Sequence, residues 1–345
     1  MQFSEVEQAA MRRALALAVT DGVPLGPNPR VGCVLLDAEG RTVAEGHHRG
    51  AGSPHAEADA LAQAGEAARG ATAVVTLEPC NHTGRTGPCA RALVDAGVRR
   101  VVVAQRDTNP VATGGVDTLR AAGVEVVTGL LAEQARAVNR VWTFAVEHGR
   151  PFVTWKFAST LDGRSAAADG TSRWVSSRAA RRDMHRLRAL CDTMLVGTNT
   201  VAVDNPLLTV RDDDDQPLPR QPLRVVMGER VLDPAHRVFG PEAETLHLHT
   251  RNPEAALKEL FSRDRQHVFL EGGPTLAAAF VRAGLVDEVV AYVAPMLLGA
   301  GRNAVADLGI TTISDALHLT VTDVTVLPPV NETDDTDVRI TLRRS

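Results

Sequence analysis

Aromatic side chains are scarce in this chain of 345 residues, at 3% of positions with a single tyrosine. Cores here must be built from Val, Leu and Ala, and an apolar fraction of 44% supplies enough for two of them. No apolar run approaches the roughly 20 residues that span a bilayer. The start, with polar Gln2 and acidic Glu5 and Glu7 after Met1, has neither the basic residues nor the apolar stretch of a signal peptide. A surplus of positive charge is missing too: the formal net charge is −5. That argues against a general nucleic-acid binder, which neutralises phosphates with Lys and Arg, yet leaves room for a basic pocket around one phosphate. Four cysteines do not make a disulfide framework. The expectation is a soluble, cytoplasmic protein with neither a membrane nor a nucleic-acid partner.

The length favours two domains. Ser4 and Glu7 have capping-box spacing ahead of a helix through Met11, Leu15 and Val19. Strand-like runs 31–36 and 41–46 flank an Asp37 to Gly40 turn, and an Ala-rich helix covers 55–68. A buried strand over 73–77 is followed by alternating helices and strands, then by one long helix over 130–147. Gly149-Arg150-Pro151 reads as the joint, giving domains at 1–148 and 149–345. The second half repeats the alternation, with strands expected at 152–156, 193–196, 224–227, 245–249, 267–270 and 288–293 and a closing pair near 319–327 and 338–342. Both halves are therefore layered α/β. The acidic run Asp212 to Asp215 reads as a solvated loop.

Two fragments carry the chemistry of the first half: His55-Ala56-Glu57, and Pro79-Cys80 with Cys89 further on. His55, Cys80 and Cys89 are ligands zinc prefers, and three of them leave a fourth tetrahedral position for water, as in a catalytic site. Zinc lowers the pKa of such water, and Glu57, two residues from a ligand, is placed to move its protons. His-x-Glu with Pro-Cys-x-x-Cys marks zinc nucleobase deaminases, although the gap between cysteines is longer here. The competing reading is a structural zinc completed by His82 or Cys33. Cys33, in a strand, and Cys191 read as small buried hydrophobes.

In the second half Glu271-Gly272-Gly273-Pro274 follows a strand and opens a helix, so backbone N–H groups there can receive a phosphate. It is not Gly-x-Gly-x-x-Gly, which excludes a Rossmann assignment. Alone it is also compatible with an ordinary turn before a helix.

Over nearly its full length the chain resembles the bifunctional deaminase–reductases of riboflavin biosynthesis. The resemblance lies in Asn28-Pro29-Arg30-Val31-Gly32, in the stretch from Glu78-Pro79-Cys80 to Gly87-Pro88-Cys89, and in Asp107-Thr108-Asn109-Pro110. It continues through Lys156 to Arg164, Gly197 to Arg211 and Glu271 to Leu276. Gly87, Thr108 and Thr160 depart from the family pattern without removing a ligand. The resemblance implies a cytidine-deaminase-like three-layer α/β/α domain followed by a dihydrofolate-reductase-like α/β domain, with Zn2+ and NADPH as cofactors. The substrate it implies is a small pyrimidine ribotide, deaminated by the first domain and reduced at its sugar by the second. Asn28, His48, His82, Arg85 and Asn109 would contact substrate in the first domain. Ser172, Arg188, Leu208, Arg211 and Glu271 would do so in the second, the two arginines at its phosphate.

Ala158, Trp174, Thr200 and Asp204 would border NADPH together with Gly273, Pro274, Thr275, Leu276, Ala277, Ala278 and Ala279. Lys156 and Asp204 are candidates for polarising the opened sugar and handling its proton. Read without the resemblance, Asn28 is equally a turn residue, His48 a solvated strand end, Lys156 and Asp204 an ion pair, and Trp174 a packing residue. A homo-oligomer is expected. The other enzymatic reading is a zinc nucleoside or tRNA deaminase with a non-reductase C-terminal scaffold; it calls for a short Cys-x-x-Cys and a basic face, and the chain has neither.

Overall fold

The computed structural model describes residues 3–23, 26–82, 87–331 and 334–344. The chain divides into two compact units, Met1–Gly149 and Arg150–Ser345. Among the described residues no helix is long and apolar enough to cross a membrane.

The first unit runs α1 (Glu5–Ala18), β1 (Gly32–Leu36), β2 (Thr42–His47), α2 (Ala56–Ala64), β3 (Thr72–Leu77), α3 (Cys89–Asp95), β4 (Arg100–Gln105), α4 (Gly115–Ala121), β5 (Glu125–Thr128), α5 (Ala132–Val138) and α6 (Arg140–His148). The capping box is formed: the Ser4 hydroxyl accepts from Glu7 N–H and the Glu7 carboxylate from Ser4 N–H. One sheet, ordered β2-β1-β3-β4-β5, has β1 antiparallel to β2 and β3, while β3, β4 and β5 run parallel. Because side chains alternate along a strand, the sheet feeds two cores. Cys33, Leu35, Val75, Val101 and Val103 face the side of α2, α3 and α4. Val34, Leu36, Val74 and Val102 face Met11, Leu15 and Ala135 of α1 and α5. The result is a three-layer α/β/α unit.

Gly46 of β2 lets α2 approach, since a Cβ there would overlap the Ala56 carbonyl. The single helix expected over 130–147 is two, broken at Asn139. The Asn139 side chain is buried and spends both its polar atoms on the backbone of Arg30, so this residue is held by tertiary contacts.

The second unit continues with β6 (Phe152–Thr160), β7 (Arg164–Ala166), α7 (Arg178–Ala189), β8 (Thr193–Gly197), α8 (Thr198–Asp204), β9 (Leu223–Met227), β10 (Thr245–Leu248), α9 (Pro253–Ser262), β11 (His267–Leu270), α10 (Pro274–Arg282), β12 (Glu288–Ala294), β13 (Arg302–Asn303), β14 (Leu319–Val326) and β15 (Val338–Arg344). Its main sheet is ordered β10-β9-β8-β11-β6-β12-β15-β14. The first six of these run parallel, and β15 and β14 close the edge antiparallel. Val153, Leu195, Val225, Val268 and Leu270 pack on Leu257 and Leu260 of α9 and Ala277 and Phe280 of α10. Parallel strands with both faces covered are buried and mostly apolar along their length, as β8, β9 and β11 are. Ligands of such sheets gather beyond the carboxyl ends of the strands. The Asp212 to Asp215 run is an exposed turn that pairs with arginines, Asp215 with Arg211 and Asp213 with Arg186.

Candidate active sites

His55 precedes α2 as its N-cap, Cys80 lies just past the end of β3, and Cys89 opens α3. The fold brings one ligand atom from each within 4.8 Å of the others. His55 Nδ1 is 3.5 Å from Cys80 Sγ and 3.4 Å from Cys89 Sγ. A tetrahedral zinc with ordinary Zn–S and Zn–N bonds separates such atoms by about 3.6 Å, so the donor set fits the ion without rearrangement. Among the described residues neither His82 nor Cys33 joins the cluster; Cys33 lies in the core of β1. The zinc site is therefore His55, Cys80 and Cys89. Hydrogen bonding from Cys89, then from His55, draws the Cys80 thiol down to about 4. The bond to Cys80 pushes the Cys89 thiol the other way.

Glu57, in the first turn of α2, is 3% exposed. Burial raises its carboxyl to about 7, into the range where a proton is readily both taken and released. It lines a cavity of about 190 Å3 together with His55, Cys80, Asn28, His48, His82 and Asn109. Arg85 lies outside the described residues. His48 Nδ1 is 3.0 Å from the Pro54 carbonyl, an acceptor only, so Nδ1 carries the proton and Nε2 accepts from Asn28 Nδ2 at 2.9 Å. That fixes the Asn28 amide with its oxygen left to accept from a ligand. Burial lowers the His48 pKa, in keeping with the neutral tautomer.

The cavity also contains Asp107 and Trp142, to which the sequence reading gave no role. Burial raises the Asp107 carboxyl to about 6. Its place two residues before Asn109 in an Asp-x-Asn-Pro run was the available signal; for Trp142 there was none. Glu78 of the Glu-Pro-Cys run is a strut: its carboxylate accepts from Asp107, Gly114 and Val116 N–H and pairs with Arg106.

In the second unit two cavities meet at the carboxyl ends of the parallel strands. One, of about 670 Å3, is lined by Lys156, Ala158, Ser172, Thr200, Asp204, Glu271, Gly273 and Pro274. The other, of about 800 Å3, is lined by Thr200, Gly273, Pro274, Thr275, Leu276 and Ala279, with Arg230, Thr250, Arg251, Arg282 and Arg302. Among the described residues Lys156 makes no ion pair, and its amino group lies 5.5 Å from the centre of the Tyr292 ring. Burial lowers its pKa, opposed by the charge of Glu271.

Several residues of the sequence-based set sit elsewhere. Ala277 and Ala278 face the core, because the period of α10 turns them toward the sheet while Thr275, Leu276 and Ala279 stay at the cavity. Leu208 is buried among Val196, Val201, Val226 and Val238. Trp174 is 65% exposed, with the Arg181 guanidinium 4.4 Å from its ring centre. The Arg188 fork is closed on a protein carboxylate: Nε and Nη2 donate to Glu271 at 2.7 and 2.5 Å, and Nη1 donates to the Thr209 carbonyl at 3.0 Å. Three of its five N–H groups are thereby engaged within the protein. Arg211 is less engaged, bonding Thr209 Oγ1 and the exposed Asp215. The Arg230, Arg251, Arg282 and Arg302 set carried no sequence signal, because its members are scattered along the chain.

Residues 4–105 match the cytidine and deoxycytidylate deaminase zinc-binding region, and residues 151–331 match the RibD C-terminal domain. The riboflavin biosynthesis protein RibD of Mycobacterium tuberculosis H37Rv is 51% identical over 293 residues, covering 85% of this chain and 86% of that protein. RibD of Escherichia coli K12 is 40% identical over 340 residues, covering 89% and 92%. Among solved structures, Acinetobacter baumannii RibD superposes with a TM-score of 0.87 at 36% identity, covering 99% of this chain and all of that one. A Thermotoga maritima protein described as a diaminohydroxyphosphoribosylaminopyrimidine deaminase/5-amino-6-(5-phosphoribosylamino)uracil reductase gives a TM-score of 0.82 at 32% identity, covering 99% of both chains. With both halves matched in order and the zinc triad in place, the chain belongs to the RibD family, the bifunctional deaminase–reductases of riboflavin biosynthesis.

Proposed function

We propose that the first unit hydrolytically deaminates a diaminopyrimidine ribotide and that the second reduces the sugar of the product to a ribityl chain with NADPH. The observation that carries the first step is a three-ligand zinc cluster sharing its cavity with the buried carboxyl of Glu57. When bound, zinc supplies a water whose pKa is brought toward neutrality. Glu57 takes one proton of the attacking water and hands it to the ring nitrogen beside the reacting carbon. It then takes the second, from the hydroxyl now on that carbon, and gives it to the amine, which departs as ammonia while the carbonyl forms. Asn28 accepts from the pyrimidine edge, held in that orientation by His48. His82 and Asn109 face the same space and suit the ribose phosphate, with Arg85 as a further contact.

For the second step, Lys156 and Asp204 share a cavity with Ser172 and Glu271. An amino group whose pKa is lowered by burial can both polarise the opened sugar and return its proton. The adjoining cavity suits NADPH, which supplies the hydride when bound. Gly273 and the first turn of α10 offer backbone N–H groups to its diphosphate, and Arg230 and Arg251 suit a 2′-phosphate. Arg211 is the better phosphate ligand for the substrate, and Arg188 orients Glu271.

The four cysteines are buried and none is in a disulfide, as befits a reducing, cytoplasmic compartment. A homo-oligomer accounts for the edge strand β14, which exposes Val321, Val324 and Val326 and would otherwise invite uncontrolled pairing. The test supplies the diaminopyrimidine ribotide with and without NADPH. Ammonia must appear without cofactor, and NADPH must be oxidised only after deamination. Oxidation of NADPH by the undeaminated ribotide, or no ammonia from zinc-loaded protein, would refute the assignment.

A further inference from the structure

The break between α5 and α6 is made by a residue whose side chain behaves as a strand partner. Asn139 is 3% exposed. Its Oδ1 accepts from Arg30 N–H at 2.8 Å and its Nδ2 donates to the Arg30 carbonyl at 2.9 Å. Arg30 stands two residues after Asn28, and the Val31 carbonyl next to it accepts from His48 N–H at 3.0 Å. The segment carrying Asn28 thus leaves the sheet through Arg30, and the two bonds from Asn139 hold it there. One turn further on, α6 places Trp142 against the same cavity. Gln105 at the end of β4 donates to Thr143 Oγ1 at 3.3 Å, tying α6 to the sheet.

We propose that Asn139 is a positioning residue of the deaminase site: it fixes the backbone at Arg30 and so aims the Asn28 amide at the pyrimidine. This rests on the reading that Asn28 contacts the ring. Zinc and Glu57 are carried by α2, α3 and the end of β3, so ground-state recognition and chemistry are separable. A residue that only stabilised the unit would not separate them.

Full-length, zinc-loaded protein carrying N139A, N28A or both is assayed for ammonia release from the diaminopyrimidine ribotide. Zinc content and NADPH oxidation with the deaminated ribotide serve as controls. N139A is expected to raise the deamination KM about tenfold or more. Its kcat should stay within about threefold, the mark of lost uniform binding. Zinc content and reduction should be unchanged, and adding N139A to N28A should raise KM no further. A wild-type KM in N139A beside a raised one in N28A overturns the inference, and so do independent effects in the double variant. A wild-type KM in N28A fails at the earlier step, the contact of Asn28 with the ring, and removes the inference with it.

Should N139A lose zinc, N139D decides. It keeps the acceptor for Arg30 N–H but sets an oxygen against the Arg30 carbonyl until the carboxyl is protonated. Its KM, relative to wild type, should fall as pH is lowered; an excess KM that ignores pH overturns the proposal.

Discussion

Removing either partner of the Arg188–Glu271 pair tests whether that guanidinium serves the protein or a ligand. Both side chains are 11% exposed, and three hydrogen bonds fix the fork on Glu271 and Thr209. Breaking a buried pair from one side costs about 3–5 kcal/mol because the remaining charge is stranded. The two sides are unequal here. In R188M the Glu271 carboxylate keeps the nearby charge of Lys156, which places the loss near the lower end. In E271M the guanidinium keeps only the Thr209 carbonyl, which places it near the upper. The double variant R188M/E271M leaves neither member of the pair behind, only Lys156 without its neighbouring charge, and should cost less than the sum of the single changes. Hydrogen exchange of the full chain, read on peptides covering α7 and β11, measures this locally. About 3 kcal/mol corresponds to roughly 100-fold faster exchange. Additive losses in the double variant would refute the reasoning. So would an R188M protein that exchanges like wild type and shows only a raised KM for the reductase substrate, since the fork would then belong to a phosphate.

Three other outcomes follow from the same geometry. E57Q should keep its zinc and lose deamination by about 100-fold or more, while NADPH oxidation with the deaminated ribotide is unchanged; turnover near wild type would remove Glu57 from its role. R230S/R251S should raise the KM for NADPH about tenfold or more and leave that for NADH unmoved, since only the former carries a 2′-phosphate to lose; equal effects on both cofactors would show that these arginines bind something common to them. His185, whose Nδ1 accepts from Arg211 N–H, is brought down to about 4, first by burial and then by the charge of Arg188. A folded-state pKa below the ordinary 6.5 gives stability that is complete above 6.5 and lost as pH falls through 4. H185N keeps an acceptor without that titration, so the stability of wild type relative to H185N should fall between pH 6.5 and 4 in denaturant unfolding; parallel curves would contradict it.

How much of this was legible depended on the distance over which each interaction acts along the chain. The capping box of α1, the two-sided apolar pattern of β1, β3 and β4, and the placing of His55 and Glu57 on one helical turn are local, and local periodicity reports them. The zinc triad could be assembled because its three ligands lie within one βα connection and the helix before it. Helices α7 and α9 left weaker marks than the strands beside them, since α7 is dense in arginine and shows few apolar positions to count. The division of the 130–147 helix into α5 and α6 has a different cause. Nothing in the composition of α5 and α6 forbids continuity; the break is imposed from outside by a backbone 109 residues away in sequence.

The same argument separates the reductase residues that stayed at the site from those that left it. Thr200, Asp204, Glu271 and Gly273 lie in the connections that follow parallel strands, and Lys156 stands on β6 just past the last residue paired with β11, so topology directs all of them to one cavity. Ala277 and Ala278 were carried in by a contiguous range, which a helix cannot honour, because any window of seven residues along it must include the buried face. Arg188 was assigned by its chemistry, and a guanidinium fork matches a carboxylate as well as a phosphate. Which of the two it meets depends on Glu271, 83 residues on, folding back beside it. Charge complementarity in this chain therefore identifies what a side chain can hold, and the strand order determines what is there to be held.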